Sequence, residues 1–301
     1  MWFKAAGIFF AIVFVAFVFV LGCQSQWQRR TQQLVQDFYQ PEQVSEAEQA
    51  GASPEPLTQY DPDKELAGLP QPVQRFFQTV LTPRQPLVAD VTLQQQGQIN
   101  LSPKQDAWKG FSAQQDVVMH SPRFIWQAKV SMAPGINAYV IDSYNQGRGW
   151  LQAKVMGLIT VAEEEGNGDI AEGELMRFLA ESPWYPTRLL PSQGVQWQEI
   201  DNTSAEARLE VAGQEVALTF SFNDQGLIET VRAESRYRQS LNGEAIYAPW
   251  VGHFSDYHNV EGMLLPHRAE VGWMQSGDNW QPYWQGRITD WDIRFYPIAA
   301  R

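Results

Sequence analysis

The chain has 301 residues, 44% of them hydrophobic and 19% charged, which is material enough for a sizeable core in one large domain or two small ones. Its 34 acidic residues outnumber 22 basic ones, for a formal net charge of −12; a protein that grips nucleic acid through phosphates needs a basic face, so that partner is excluded. A single cysteine, Cys23, rules out an intrachain disulfide and a cysteine-built zinc site.

The N-terminus reads "MWFKAAGIFFAIVFVAFVFVLGC", with one lysine, Lys4, and then no charge from Ala5 to Gly22. As a helix this run rises about 27 Å, the thickness of a hydrocarbon core. It is expected to enter a membrane over residues 1–23, either as a lasting anchor or as a lipoprotein signal. "VLGC" places small Gly22 before Cys23, so Cys23 is a candidate for lipidation. Lys4 favours a cytoplasmic N-terminus and an exported domain; Arg29 and Arg30 pull the other way.

Residues 24–66 are rich in Gln, Glu, Ala and Pro and read as a polar tether, with Trp27, Leu34 and Phe38 marking one short amphipathic helix. The domain proper is expected over residues 67–301. It opens on "AGLPQPVQRFFQTVLTP", where Val73, Phe76, Phe77, Val80 and Leu81 follow helical spacing between Pro72 and Pro83.

From residue 87 the dominant period is two. "FIWQAKVSM" sets Phe124, Trp126, Ala128, Val130 and Met132 on one face. "INAYVIDSY" and "WLQAKVMGLITV" read as a hairpin around "NQGRG", and "ARLEVAGQEVALTFSF" as another around Ala212–Gly213. "EEEG", residues 163–166, reads as a solvated loop. Helix interrupts once with force, in "DIAEGELMRFLAESPWYPTRLLPS", with Asp169 as the expected N-cap and Leu175, Phe178 and Leu179 on its apolar face. Strands resume and run to "YWQGRITDWDIRF". The expected fold is mainly β (α+β): one large curved antiparallel sheet or half-barrel of about ten or eleven strands, with helices covering its concave face.

"GLPQPVQRFF", "ELMRFLAESPWYPTRLLPS", "GLIETVRA", "WVGHFSDYHNVEGMLLPHRAEVGW" and "PYWQGRI" resemble, in order, the hallmark blocks of an uncharacterised bacterial family of membrane-anchored or lipoprotein type. "VIDSYNQGRGWLQA", the mid-chain helical insert and "FSDYHNVEGMLLPHRAEV" are similar, more distantly, to the LolA/LolB-like lipoprotein carriers. That resemblance implies a half-barrel in the bacterial envelope, its domain on the extracytoplasmic side, holding a lipid-like or other hydrophobic ligand as a carrier or chaperone. The residues expected to line such a cavity are Phe76, Trp126, Trp150, Phe178, Trp184, Trp250 and Trp273, gated by the 169–190 insert. Core packing is the alternative role for each of them.

A second reading is an envelope hydrolase or metal-dependent enzyme. In "APWVGHFSDYHNVEGMLLPHRAEVGW" strand alternation separates His253 from His258. A two-residue turn at Glu261-Gly262 would set Val260 opposite Met263, His258 opposite Leu265 and Asp256 opposite His267. Asp256, His258 and His267 then share one face as candidate catalytic residues, or as a structural polar pair. A third reading is a structural envelope protein with protein partners. No phosphate-cradling, nucleophile-elbow or zinc-helix motif is present, no cofactor is expected, and binding is favoured over catalysis.

Overall fold

A computed structural model of the chain describes residues 2–39, 58–102, 105–239, 244–275 and 279–297. The N-terminal helix α1 (Trp2–Tyr39) is followed by a short α2 (Pro62–Glu65) and by α3 (Gln71–Val80). Six strands follow: β1 (Val88–Asn100), β2 (Trp108–Val118), β3 (Arg123–Ala133), β4 (Ile136–Asn145), β5 (Arg148–Val155) and β6 (Ile159–Gly166). Then come α4 (Asp169–Ala180) and three 3-10 turns, Ser182–Trp184, Pro186–Leu189 and Pro191–Gln193. Seven more strands complete the chain: β7 (Gln196–Glu199), β8 (Ser204–Val211), β9 (Gln214–Phe222), β10 (Ile228–Gln239), β11 (Ala245–Val260), β12 (Met263–Gln275) and β13 (Asn279–Phe295).

All thirteen strands form one sheet in the order β6-β5-β4-β3-β2-β1-β13-β12-β11-β10-β9-β8-β7, and every neighbouring pair is antiparallel. The two halves of the chain meet in the middle, at β1 and β13. The helical segment therefore has to carry the chain from one edge, β6, to the other, β7. It does so across the concave face, which makes it a lid by topology alone. The sheet curls around it: Gln214 Nε2 of β9 donates to the Asn167 carbonyl (2.9 Å), and the Tyr247 hydroxyl of β11 donates to Asp169 Oδ2 (2.7 Å).

The expected curved antiparallel sheet is present, with more strands than the ten or eleven expected. "WLQAKVMGLITV" is two strands rather than one, because Met156 and Gly157 turn at φ 56° and 72°. Residues 163–166, expected as a loop, belong to edge strand β6, where Arg148 pairs with Glu165 at 2.7 Å and Gln152 reaches Glu163. Outward charge is a common guard on an edge strand, and here it hid the strand's alternation. The N-cap of α4 is Gly168 rather than Asp169, whose carboxylate holds Tyr247 instead.

The main core fills the concave side. Val73, Phe76, Phe77 and Val80 of α3 and Ala171, Leu175, Phe178 and Leu179 of α4 all pack into it. A second, smaller cluster lies on the outer face, where Trp27 and Phe38 of α1 meet Ile125 and Ile141, with Leu34, Val35 and Trp150 beside them. Residues 24–66, read as a tether, thus begin as docked helix: the Phe38 carbonyl accepts from Arg123 Nε (3.0 Å), and the Tyr39 hydroxyl donates to Asp116 Oδ1 (2.9 Å). They end tied to the domain, where Tyr60 N donates to the Gln85 carbonyl (2.8 Å); residues 40–57 lie outside the described residues. Most side chains of the run Ala5–Gly22 lie outside them too, and among the described residues no helix is long and apolar enough to cross a membrane.

Gly149 sets how closely the lid sits on the sheet. A Cβ there would meet the backbone of Ile170 and Ala171 at 2.9 and 3.0 Å. Gly149→Ala is therefore expected to lower stability by about 1–3 kcal/mol, since neither backbone can yield without moving α4. Gly110→Ala, whose nearest neighbour would be 4.0 Å away, should be close to neutral. Equilibrium urea unfolding of the two variants checks the contrast.

Candidate functional site

Helix α4 buries its apolar stripe and, beside it, a line of charges. Glu174, Arg177 and Glu181 recur at i, i+3 and i+7, so they share a face. That face looks into the sheet, and these side chains are only 12–16 % exposed. Asp142 joins them from β4, where alternation with Ala138, Val140 and Tyr144 turns it inward. Arg236 joins from β10. By simple alternation with Val231 and Ala233 it would point outward, but a bulge between Ala233 and Arg236 shifts the pleat by one residue and turns it in.

The charges pair across the cluster, with Asp142 Oδ1 and Glu174 Oε2 left without a hydrogen-bond partner. Arg177 Nη1 donates to Asp142 Oδ2 at 2.7 Å, and Arg177 Nε donates to Glu181 Oε1 at 2.7 Å. Arg236 donates twice to the Gly173 carbonyl, at 2.9 and 3.2 Å, and lies 3.6 Å from Glu174. Both guanidinium planes also rest on aromatic rings: Arg177 over Phe124 and Trp126 at 4.7 and 5.4 Å, Arg236 over Trp250 and Trp273 at 5.1 and 5.9 Å. An amide relay extends the network, with Trp126 Nε1 donating to Gln95 Oε1 (2.8 Å), Gln95 Nε2 to Gln115 Oε1 (2.9 Å) and Gln115 to Glu181.

Burial, followed by the neighbouring Asp142, pushes the Glu174 carboxyl up to about 8, against the pull of Arg236 and Arg177. Burial also raises Asp142, with Arg177 and then Arg236 opposing it. Burial disfavours the Arg177 charge, but Glu181, Asp142 and Glu174 outweigh it and hold the guanidinium firmly protonated.

Between this cluster and the sheet lies a cavity of about 130 Å³. Its walls are Trp126, Trp184, Trp250, Phe254, Tyr283 and Trp284, and its polar side is Asp142, Arg177, Glu181 and Arg236. A glycine pair, Gly97 opposite Gly286, leaves room for one wall: a Cβ on Gly286 would lie 2.6 Å from the Trp284 ring, and one on Gly97 would lie 2.9 Å from Phe111. Two polar atoms of the wall residues, Asp142 Oδ1 and Trp184 Nε1, are buried with no protein partner. They offer one acceptor and one donor to an occupant.

Of the residues expected to line a cavity, Trp126, Trp184 and Trp250 do so. Trp273 stands just behind, stacked on Tyr283 at 6.0 Å. Phe178 is fully buried against Tyr185 in the core, and Phe76 packs under α3 against Phe77 and Phe222. Trp150 is on the opposite face of the sheet, under Arg30 of α1, because its neighbour Gly149 is the residue that faces α4. Arg177, Glu181 and Arg236 were not anticipated. Arg177 could have been found from the acid–base spacing within "ELMRFLAE", whereas the bulge that turns Arg236 leaves no signature in the alternation.

The turn expected at Glu261-Gly262 forms, with φ 50° and 83°; Val260 pairs with Met263 and His258 with Leu265, whereas Asp256 does not pair with His267, because its φ of 61° interrupts the ladder there. His258 Nε2 lies 2.8 Å from Asp256 Oδ1, and the His258 and His267 rings are 4.6 Å apart. The three side chains do meet, but at the rim of the sheet, and none lines the cavity under α4. Asp256 bends out at φ 61°, and both it and His258 are well exposed. The His258 hydrogen bond and Arg268 hold the Asp256 carboxyl below its ordinary range, whereas burial, then His258, lowers His267, which packs on Trp291 at 4.5 Å. Among the described residues no three His, Cys, Asp or Glu side chains are grouped to hold a metal ion. His253 points to the outer face, against Trp280 at 4.7 Å, and His120 is exposed in the turn after β2. Cys23 is a free, half-buried thiol in α1.

Glu174 ties the site to pH. Its folded pKa lies above its unfolded value, so between about pH 4.5 and 8 the native state keeps a proton that the unfolded chain releases. Stability should therefore fall as pH rises through that window, by up to about 1.4 kcal/mol per pH unit from this group. Glu174→Gln should remove that slope, gaining on the parent between pH 5 and pH 8 in paired urea titrations.

Among curated proteins, none matches the chain. Solved structures do, at a distance. The LolA superfamily protein NE2245 from Nitrosomonas europaea shows 12% identity and a TM-score of 0.36 over 77% of this chain and 96% of that one. A putative outer membrane lipoprotein-sorting protein domain from Vibrio parahaemolyticus shows 7% identity and 0.38 over 79% and 96%. A beta-barrel-like protein of the domain of unknown function DUF1849 from Brucella abortus shows 10% identity and 0.24 over 69% and 99%. No residue role crosses over with likenesses this remote. The model of the family of unknown function DUF6920, by contrast, matches residues 67–295, and the chain belongs to that family.

Proposed function

We propose that the domain is a membrane-tethered binding module of the bacterial envelope, and that it takes up a small apolar group in the cavity beneath α4. The observation that carries this reading is the aromatic-walled space of about 130 Å³ inside an otherwise closed core. Its six aromatic walls offer an apolar ring or alkyl group the close contacts that favour burial there, beside one polar side.

Size and chemistry define the occupant further. A cavity of about 150 Å³ engineered into another protein admits benzene, so this one suits a ring or a short alkyl segment. Asp142 Oδ1 and Trp184 Nε1 favour a polar end that both gives and accepts a hydrogen bond. A whole acyl chain, as the carrier resemblance implies, requires α4 and the 182–190 turns to lift, against the ion pairs of Arg177. The tether is supported by the uncharged run Ala5–Gly22, and by Phe14, Val15, Val18 and Phe19, which stand 50–67 % exposed along α1.

The test uses p-cresol, a ring with one hydroxyl. At about one hundred times its dissociation constant it should stabilise the chain by about 2.7 kcal/mol, seen as a rise in Tm. Ala269→Phe, which fills the cavity from β12, should abolish the rise while leaving the fold intact. No shift in Tm or tryptophan fluorescence of the parent chain with p-cresol or toluene would sink the reading.

A further inference from the structure

Among the described residues of the domain, four of the six exposed large apolar side chains gather at one end of the sheet, with Ile200 and Tyr247 apart from them. In an antiparallel meander, alternate connections lie at the same end of the sheet. The β1–β2, β3–β4 and β5–β6 connections therefore share one end, marked by the pairs Asn100 with Trp108, Ala133 with Ile136 and Val155 with Ile159. Leu101, Ile136 and Ile159, at those three connections, are 45, 42 and 64 % exposed, and Val161 of β6 beside them is 59 % exposed. An apolar side chain standing alone in water needs no explanation, but this many at consecutive turns of one end do.

Helix α1 meets the domain at that same end. A methyl group on Gly157, in the β5–β6 turn, would lie 3.5 Å from Gln24 Cα and 3.6 Å from the Cys23 carbonyl oxygen. The uncharged run stops one residue earlier, at Gly22. Whether residues 5–22 stay in a bilayer or Cys23 carries acyl chains, the lipid surface comes level with the β5–β6 turn. From there α1 runs along the outer face of the sheet to Phe38, packed as far as Arg123. The domain is thus clamped to the segment that leaves the lipid, with no free tether between them.

We infer that this end of the sheet rests on the bilayer, with Leu101, Ile136, Ile159 and Val161 in the headgroup–acyl boundary. The inference rests on the membrane-tether reading above. It also gives the cavity a direction. Trp126, Trp184 and Trp250 are its buried wall, while Ile99 and Trp284, paired with each other near this end, are only half-buried. The more open side of the cavity therefore faces lipid, and an apolar ligand enters from the membrane without crossing water.

The full chain carrying Cys23→Ser, reconstituted in phosphatidylcholine vesicles, tests this with single cysteines labelled by an environment-sensitive fluorophore. Ile159→Cys and Ile136→Cys probe the proposed contact, Ile200→Cys the opposite end and Phe14→Cys the anchor. Doxyl-labelled lipid should quench the labels at 159, 136 and 14, with quenching at 159 and 136 more than about twofold that at 200. Quenching at 14 with 159 and 136 no different from 200 overturns the docking and leaves the anchor standing. No quenching at 14 overturns the anchor and the docking with it. A blue shift at 159 and 136 without lipid quenching overturns the docking and assigns that end to contact between copies of this chain.

Discussion

Arg177 is the contact on which the rest of the site depends. It stands on the lid, reaches Asp142 on β4 and Glu181 one turn along its own helix, and lies across the faces of Phe124 and Trp126. A charge buried this deeply is tolerable only when paired, and replacing such a group by apolar packing is often no loss in stability. What the ion network supplies is a defined spacing. Apolar side chains would let α4 settle onto the sheet wherever density is best. Two guanidiniums held between carboxylates and rings fix the helix at a distance set by hydrogen bonds.

The cavity is a consequence of that spacing together with the glycines opposite. Gly149 brings the start of α4 close to β5, whereas Arg177 and Arg236 keep its later turns standing off. Gly97 and Gly286 remove two side chains from the facing strands, and Trp284 folds into the room they leave. The lid is therefore tight at one end and propped at the other. The proposed membrane contact shares this geometry, since the less buried side of the cavity lies towards the end of the sheet that carries Leu101, Ile136 and Ile159.

Much of this plan is legible in the residues. Alternation in "FIWQAKVSM" and "INAYVIDSY" gives β3 and β4 and turns Trp126 and Asp142 inward, and Glu261-Gly262 sets the register of β11 and β12. The losses occur where the pleat is interrupted. One added residue in β10 turns Arg236 inward, and the Met156–Gly157 turn divides a run that reads as one strand. Trp150 misleads because its neighbour Gly149 is the residue that touches the lid, which turns the tryptophan to the outer face. His258 lies beside both Asp256 and His267, but alternation does not reveal that Asp256 leaves the pleat at φ 61° and stands with His258 in solvent.

The Arg177–Asp142 pair fixes the lid over the cavity. A double-mutant cycle of Arg177→Met and Asp142→Leu, read by urea unfolding at neutral pH, measures it most directly. Each single change strands a buried charge and should cost about 3–5 kcal/mol, while the double change restores much of the loss, for a coupling of about 2 kcal/mol or more. A coupling below about 0.5 kcal/mol, with the two costs simply adding, would contradict the claim.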